Sequence, residues 1–325
     1  MTLLQRLASV LVVGGAMACA PLAMATDKYP DKPIRIVVPF SAGGQFDIAA
    51  RMLGQFAGKE LSQSIIVENL PGGGGNIGAV KVAAAPADGY TLLALGGNHA
   101  IAKALYAKPG FDVNADFTPI SLVTVAPHVV LVNASLPVKT FPELLEYAKR
   151  NPSSLNYGSP GVGTSMHLTF EMIKGNYGLD AMHVSYKGGS NMLNDLAAGQ
   201  INAGIVAVAP AQEFIKAGRI RPLAVTSKLR SAALPDVPSL SELGYADLDT
   251  GSWMALAGPK NLPPGIVARW NEVVRAFLAD PAAKAKLESM GFRPEPSSPE
   301  QLQKRLVGES ETFLQVVRDK NITAD

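Results

Sequence analysis

The chain has 325 residues, with 29 basic and 27 acidic side chains, a formal charge of +2, and one cysteine. So even a balance supplies no basic surface for nucleic acid or an anionic membrane. A hydrophobic content of 47% with only 6% aromatic residues suits an Ala/Val/Leu-rich α/β protein, and the length allows about two domains.

The first predicted element is a leader. Arg6 gives a positive start, Leu7 to Ala20 is an uncharged apolar run, and Ala23-Met24-Ala25 is a small-x-small triplet. This reads as a secretory signal peptide cut near Ala25, and the run is too short to span a bilayer. A buried N-terminal helix would leave the triplet unexplained, along with the switch to charge at Asp27-Lys28. Lipid attachment at Cys19 lacks the expected leucine in Ala16-Met17-Ala18. With Cys19 in the leader, the exported chain has no disulfide, thiol nucleophile or thiolate metal site. Its charge is +1, because the leader carries Arg6 and no acid.

Ile34 to Phe40 is a β-branched run that predicts a buried strand. Ser41-Ala42-Gly43-Gly44 is a turn, and Ile48, Met52 and Phe56 with Ala49 and Leu53 mark an amphipathic helix. Ile65 to Asn69 and Tyr90 to Leu95 are the next strands. Strand, turn, helix and strand in this order predict a parallel sheet with right-handed crossovers. A second unit begins near Leu122, with a strand at 129–132 and a helix at 141–150 opened by a Thr140/Glu143 capping box. Leu155 to Ser159 is a strand that leads through Pro160-Gly161-Val162-Gly163-Thr164 into a helix at 165–174. Further strands are expected at 181–186, 203–208 and 223–226. After Gly251 to Ala257 the chain turns helical: 264–279, 281–289 and 299–319.

Strand, Gly/Ser loop and helix occur at 34–57 and again at 155–174. Two such lobes imply a cleft between them, with chain crossings near 122–126 and 250–256 and hinge closure about a ligand. The expected division is 1–25 leader, 26–122 with 254–325 as lobe 1, and 123–253 as lobe 2.

The loop Ser41-Ala42-Gly43-Gly44-Gln45-Phe46-Asp47 presents backbone N–H groups at a helix start, the geometry of an anion site. Asp47 has the competing role of bonding those N–H groups itself. Ser159-Pro160-Gly161-Val162-Gly163-Thr164-Ser165 repeats the geometry in the other lobe, Thr164 or Ser165 being the helix N-cap. Paired, the loops point to a bound carboxylate. Asn98-His99 and Tyr186-Lys187-Gly188 lie beyond strand ends, where parallel sheets place ligand groups.

Gly73-Gly74-Gly75-Asn76-Ile77-Gly78 fits the dinucleotide fingerprint G-x-G-x-x-G, but Thr91 to Ala100 lacks the acid that would hold the ribose. Its helix meets Pro86 too soon, and the loop is read as structural. Of the four histidines none is at i, i+4 from another, so no zinc helix motif exists, and Gly158-Ser159-Pro160 breaks the nucleophile elbow. No catalytic set, metal site or cofactor is expected. The alternative is an exported α/β enzyme that uses the Gly72–Gly78 loop for a phosphate.

Tyr29 to Arg35, Val38 to Gly44, Glu68 to Gly78, Ala87 to Leu92, Asp116 to Ile120, Leu155 to Ser159, Gly199 to Ala203 and Leu234 to Ser239 together resemble the Bug family. These are the periplasmic substrate-binding proteins of the tripartite tricarboxylate transporter class, and the likeness covers the whole mature chain. The resemblance implies a type II periplasmic binding protein: two parallel-sheet α/β lobes that close on a small carboxylate. It implies a monomer without catalysis that delivers its ligand to a membrane permease, or alternatively a sensory receptor. It directs attention to Ser41–Asp47, Ser159, Gly161, Gly163, Thr164, Ser165, Asn98, His99, Tyr186, Lys187 and Gly188. One departure stands out. The family carries a small or hydroxylated pair before the aspartate, and here it is Gln45-Phe46, so either Phe46 meets an uncharged or aromatic part of the ligand or it turns into the core.

Overall fold

The computed structural model describes residues 29–245, 250–319 and 322. The leader expected at residues 1–25 lies outside the described residues.

The chain opens with strand β1 (Ile34–Val38), helix α1 (Gln45–Glu60) and strand β2 (Ile65–Asn69). A 3-10 turn at Gly73–Gly75 leads into α2 (Asn76–Ala83), then β3 (Thr91–Leu95) and the short helices α3 (Gly97–Ala100) and α4 (Ala102–Leu105). β1 pairs in parallel with β2 and β3, as expected of strand–helix–strand units. Ile34, Ile36 and Val38 are wholly buried beneath Ala49, Ala50 and Leu53 of α1. Ala and Gly along that helix face let it lie close on the strands.

The next strand, β4, runs from Phe117 to Asn133. The sequence predicts two pieces here, split at 126–129, and the structure joins them. Up to Pro127 the strand pairs antiparallel with β9 (Gly251–Pro259), and from His128 onward with β7 (Ala203–Ala207). From Val129 it also pairs on its other edge with β8 (Ile220–Val225). Pro127 sits at the change of partner, where a missing N–H removes little from the ladder.

Between β4 and β7 the chain forms α5 (Phe141–Arg150), β5 (Asn156–Ser159), α6 (Ser165–Tyr177), β6 (Met182–Ser185) and α7 (Gly189–Ala197). α8 (Val208–Lys216) follows β7. β5 pairs in parallel with both β6 and β7, so this lobe repeats the first. β9 returns the chain to β3, antiparallel, and α9 (Pro264–Ala279), α10 (Pro281–Ser289), β10 (Arg293–Pro294) and α11 (Pro299–Asp319) complete it.

Each lobe is therefore a parallel set extended by antiparallel crossing strands, and the sheet is mixed where the sequence predicts parallel pairing alone. The cause is connectivity. β4 and β9 link the lobes in opposite directions, so they must run antiparallel to each other. They are tied at the crossing by Thr226, whose hydroxyl donates to Thr250 O at 2.6 Å and accepts from the His128 N–H at 3.1 Å. Among the described residues, no helix is long and apolar enough to cross a membrane.

Candidate ligand cleft

Two neighbouring cavities, an inner and an outer, lie between the lobes and share Phe40 and Pro160 as walls. The inner one measures about 30 Å³ and the outer one about 300 Å³. The inner volume accommodates about one or two water-sized groups.

The inner cavity is built from helix starts. Gly44, Gln45 and Phe46 open α1; Thr164, Ser165 and Met166 open α6; Gly97 and Asn98 open α3; Gly189 opens α7. The first-turn N–H groups of a helix have no partner within it, so several orphan donors surround this space. The macrodipoles add positive potential. Among the described residues none of the lining side chains is charged; Phe40, Phe46, Met166, Val206 and Trp253 supply apolar walls. An anion here would be held by backbone N–H and neutral donors.

The side chains that set these loops are themselves well bonded. Thr164 caps α6, its Oγ1 accepting from His167 N–H at 3.3 Å and donating to Gly161 O at 2.8 Å. Asn98 Nδ2 donates to Gly74 O at 2.7 Å, which fixes the glycine loop of Gly72–Gly75. Ser252 Oγ donates to Gln45 Oε1 at 2.6 Å, leaving the amide NH₂ of Gln45 as that side chain's donor.

Candidate residues divide by where they sit. Gly44, Gln45, Phe46, Asn98, Thr164 and Ser165 line the inner cavity. Gly161, Tyr186 and Lys187 line the outer one, and among the described residues Lys187 is its charged wall. Ser41, Ala42, Gly43 and Gly188 make the contact between lobes. Ser41 N–H donates to Lys187 O at 3.3 Å, and Ser190 Oγ donates to Ala42 O at 2.6 Å. A Cβ on Gly43 would stand 3.3 Å from Ser190 Oγ.

Asp47, His99, Ser159 and Gly163 lie behind the walls. Asp47 is buried, and its carboxylate accepts from Gly43 N–H at 2.9 Å and pairs with Arg51 at 2.8 Å. Burial works to raise its pKa, but Arg51, the Gly43 N–H and Asn69 together hold it below the usual carboxylate value. Asp47 thus secures the loop in the way the competing reading expects. Ser159 Oγ braces its own loop by accepting from Gly161 N–H at 3.3 Å.

Phe46 packs into the core and at the same time lines the inner cavity. Its ring lies 4.9 Å from that of Phe40. A Cβ on Gly96 would come within 2.5 Å of it, so the glycine there makes room for this aromatic.

Sequence reasoning missed part of the cleft. Gly72 to Gly75, read as purely structural, line the outer cavity. Four consecutive positive φ angles, from 56° to 129°, explain the glycines, and a Cβ on Gly74 would reach 2.9 Å from Val162 O across the cleft. The loop brings the lobes close. Ser252 and Trp253 were also missed; their place on a crossing strand was the available signal.

Histidines brace both lobes. Gly96 N–H donates to His99 Nδ1, and Gly163 N–H to His167 Nδ1, each at 3.1 Å. His167 stacks on His183 at 4.0 Å, and His183 Nε2 meets Ser159 Oγ at 2.8 Å. Burial pushes His99 and His167 down to about 4, and His128 and His183 to about 3. All four stay neutral near pH 7, against an unfolded value of about 6.5. Above about pH 6.5 neither state takes up these protons and stability is full. Below it the unfolded chain binds protons the folded one refuses, so stability falls towards pH 3–4. The unfolding free energy from denaturant titrations should fall steadily from about pH 6.5 to pH 4.5, by on the order of several kcal/mol in total. A flat profile over that range would contradict this account.

Comparison with known proteins identifies the family. Residues 49–322 match the family model described as tripartite tricarboxylate transporter family receptor. Protein BugT of Bordetella pertussis is 30% identical over 318 residues, covering 97% of this chain and 98% of that protein. The structure of periplasmic binding protein BugD superposes with a TM-score of 0.87 at 31% identity, over 91% of this chain and 99% of that one. An R. palustris protein solved with adipate gives 0.87 at 35% identity, over 89% and 97%. Its two mixed α/β lobes and its sequence together place this chain in the tripartite tricarboxylate transporter receptor family.

Proposed function

We propose that the protein is a non-catalytic periplasmic receptor that closes its lobes on a small carboxylate and presents it to a membrane permease. The observation that carries this reading is the convergence of the α1, α6 and α7 starts on one cavity without a charged side chain. Backbone donors satisfy a carboxylate well. The adipate held by the R. palustris relative supports the same ligand class. On this reading the protein is exported as a monomer, with cleavage near Ala25. Its lobes are 26–122 with 254–325, and 123–253. The change of strand partner at Pro127 and His128 supports a crossing in β4.

A thermal-shift screen of residues 26–325, refolded to strip co-purified ligand, tests it. The panel holds aliphatic di- and tricarboxylates, acidic amino acids, aromatic acids, NAD and ATP. A true ligand at about 100 times its Kd adds roughly 2.7 kcal/mol. A shift with one carboxylate class is expected. Shifts with nucleotides alone would overturn the reading in favour of the Gly72–Gly78 loop.

A further inference from the structure

Ser165, the first residue of α6, lines the inner cavity, and its Oγ lies 3.3 Å from Nε2 of His128. His128 is wholly buried at the crossing point of β4, and its Nδ1 has no hydrogen-bond partner. A neutral imidazole has one N–H and one bare nitrogen, and the two choices differ here. With the proton on Nδ1, a donor would be buried without an acceptor, and the Ser165 hydroxyl would have to point back at Nε2. With the proton on Nε2, the ring donates to Ser165 Oγ and the unpartnered atom is only a lone pair. Orphaned buried N–H groups are the rarer case. The hydroxyl hydrogen of Ser165 is then free of the ring. Its other near neighbour is the Met166 sulfur at 3.8 Å, a weak acceptor.

We propose that His128 is a positioning residue: it holds the Ser165 hydroxyl as a committed donor into the cavity, so that this end of the cleft selects an ionised carboxylate over the matching carboxamide. A carboxylate oxygen accepts from that hydroxyl and from the first-turn N–H groups together. An amide NH₂ turned to the same place would meet donors only. The proposal deepens the receptor reading and rests on it.

The tautomer is read directly, without ligand, from ¹H–¹⁵N spectra of the labelled protein, with the His128 signals assigned by their loss in His128→Gln. If that variant does not fold, elimination against His99→Gln, His167→Gln and His183→Gln gives the same assignment. The Nε2–H form is expected. Calorimetry then compares adipate, or whichever panel carboxylate shifts most, with its amide. Ser165→Ala should lose about ten- to a hundredfold of the carboxylate affinity and narrow the preference over the amide. His128→Phe should narrow it likewise, and His128→Gln, whose amide can donate from the same place, should keep more of it. An Nδ1–H tautomer, or a preference unchanged in Ser165→Ala, would overturn the positioning role and leave the receptor reading standing. Failure of every carboxylate to bind the unaltered protein would remove the receptor reading and the selectivity with it.

Discussion

Replacing Gly188 by alanine should weaken carboxylate binding by roughly a hundredfold while the ligand-free protein still folds. Gly188 precedes α7 at φ 153° and faces Ser41 across the cleft, and a Cβ there would run into Ser41 Oγ and stand 2.9 Å from Ser41 N. Two costs follow, and they fall on different states. The backbone conformation suits glycine and is strained for alanine by about 1–3 kcal/mol whether the lobes are open or closed, so it lowers stability. On the receptor reading the clash with Ser41 arises only when the lobes close, so it lowers affinity, tenfold for each 1.4 kcal/mol or so. Gly218→Ala separates the two. Gly218 has φ 66° and nothing within 4 Å of an added Cβ. It should lose stability in calorimetric melts and keep its affinity in titrations. Equal affinity losses in both variants would mean that strain, rather than blocked closure, explains Gly188.

Gln45→Glu should separate stability from binding in the opposite sense. Position 45 is the first residue of α1, and a carboxylate there complements the helix dipole and can still accept the Ser252 hydroxyl. Ligand-free stability should hold or rise slightly. Yet the new charge borders the cavity where no lining side chain can neutralise it. Like charges about 5 Å apart at an effective dielectric near 20 repel by about 3 kcal/mol, or about a hundredfold in Kd. Titration at pH 7.5 reads the affinity and a thermal melt the stability. An affinity within a factor of about three of the unaltered protein would argue that the anion binds elsewhere.

Local signals in the sequence were read well where the physics is local. Helices α9, α10 and α11 have the predicted bounds, and each starts at a proline. Thr140 caps α5 as expected, accepting from Glu143 N–H at 3.3 Å. The reciprocal bond differs from the capping-box rule: Glu143 Oε2 accepts from Lys139 N–H at 2.7 Å, one residue earlier. Strand direction was not legible, because β4 and β9 pair over more than a hundred residues of sequence. The continuity of β4 was hidden by Pro127, whose tolerance depends on the partner change beside it. The inner donors were legible as glycine loops before helices. The walls were not, for Val206 and Trp253 reach the cavity only through the folding of distant strands. The role of His167, whose Nδ1 accepts from Gly163 N–H, is one that spacing does not reveal.

The central claim is that backbone donors from both lobes hold one carboxylate in the inner cavity. A crystal structure of the refolded protein with the strongest ligand of the screen tests it most directly. The account predicts carboxylate oxygens within hydrogen-bond distance of first-turn N–H groups of both α1 and α6, with the Ser165 hydroxyl donating as well. A ligand seated on Lys187 and the Gly72–Gly75 loop alone, its acid group outside the inner cavity, would contradict it.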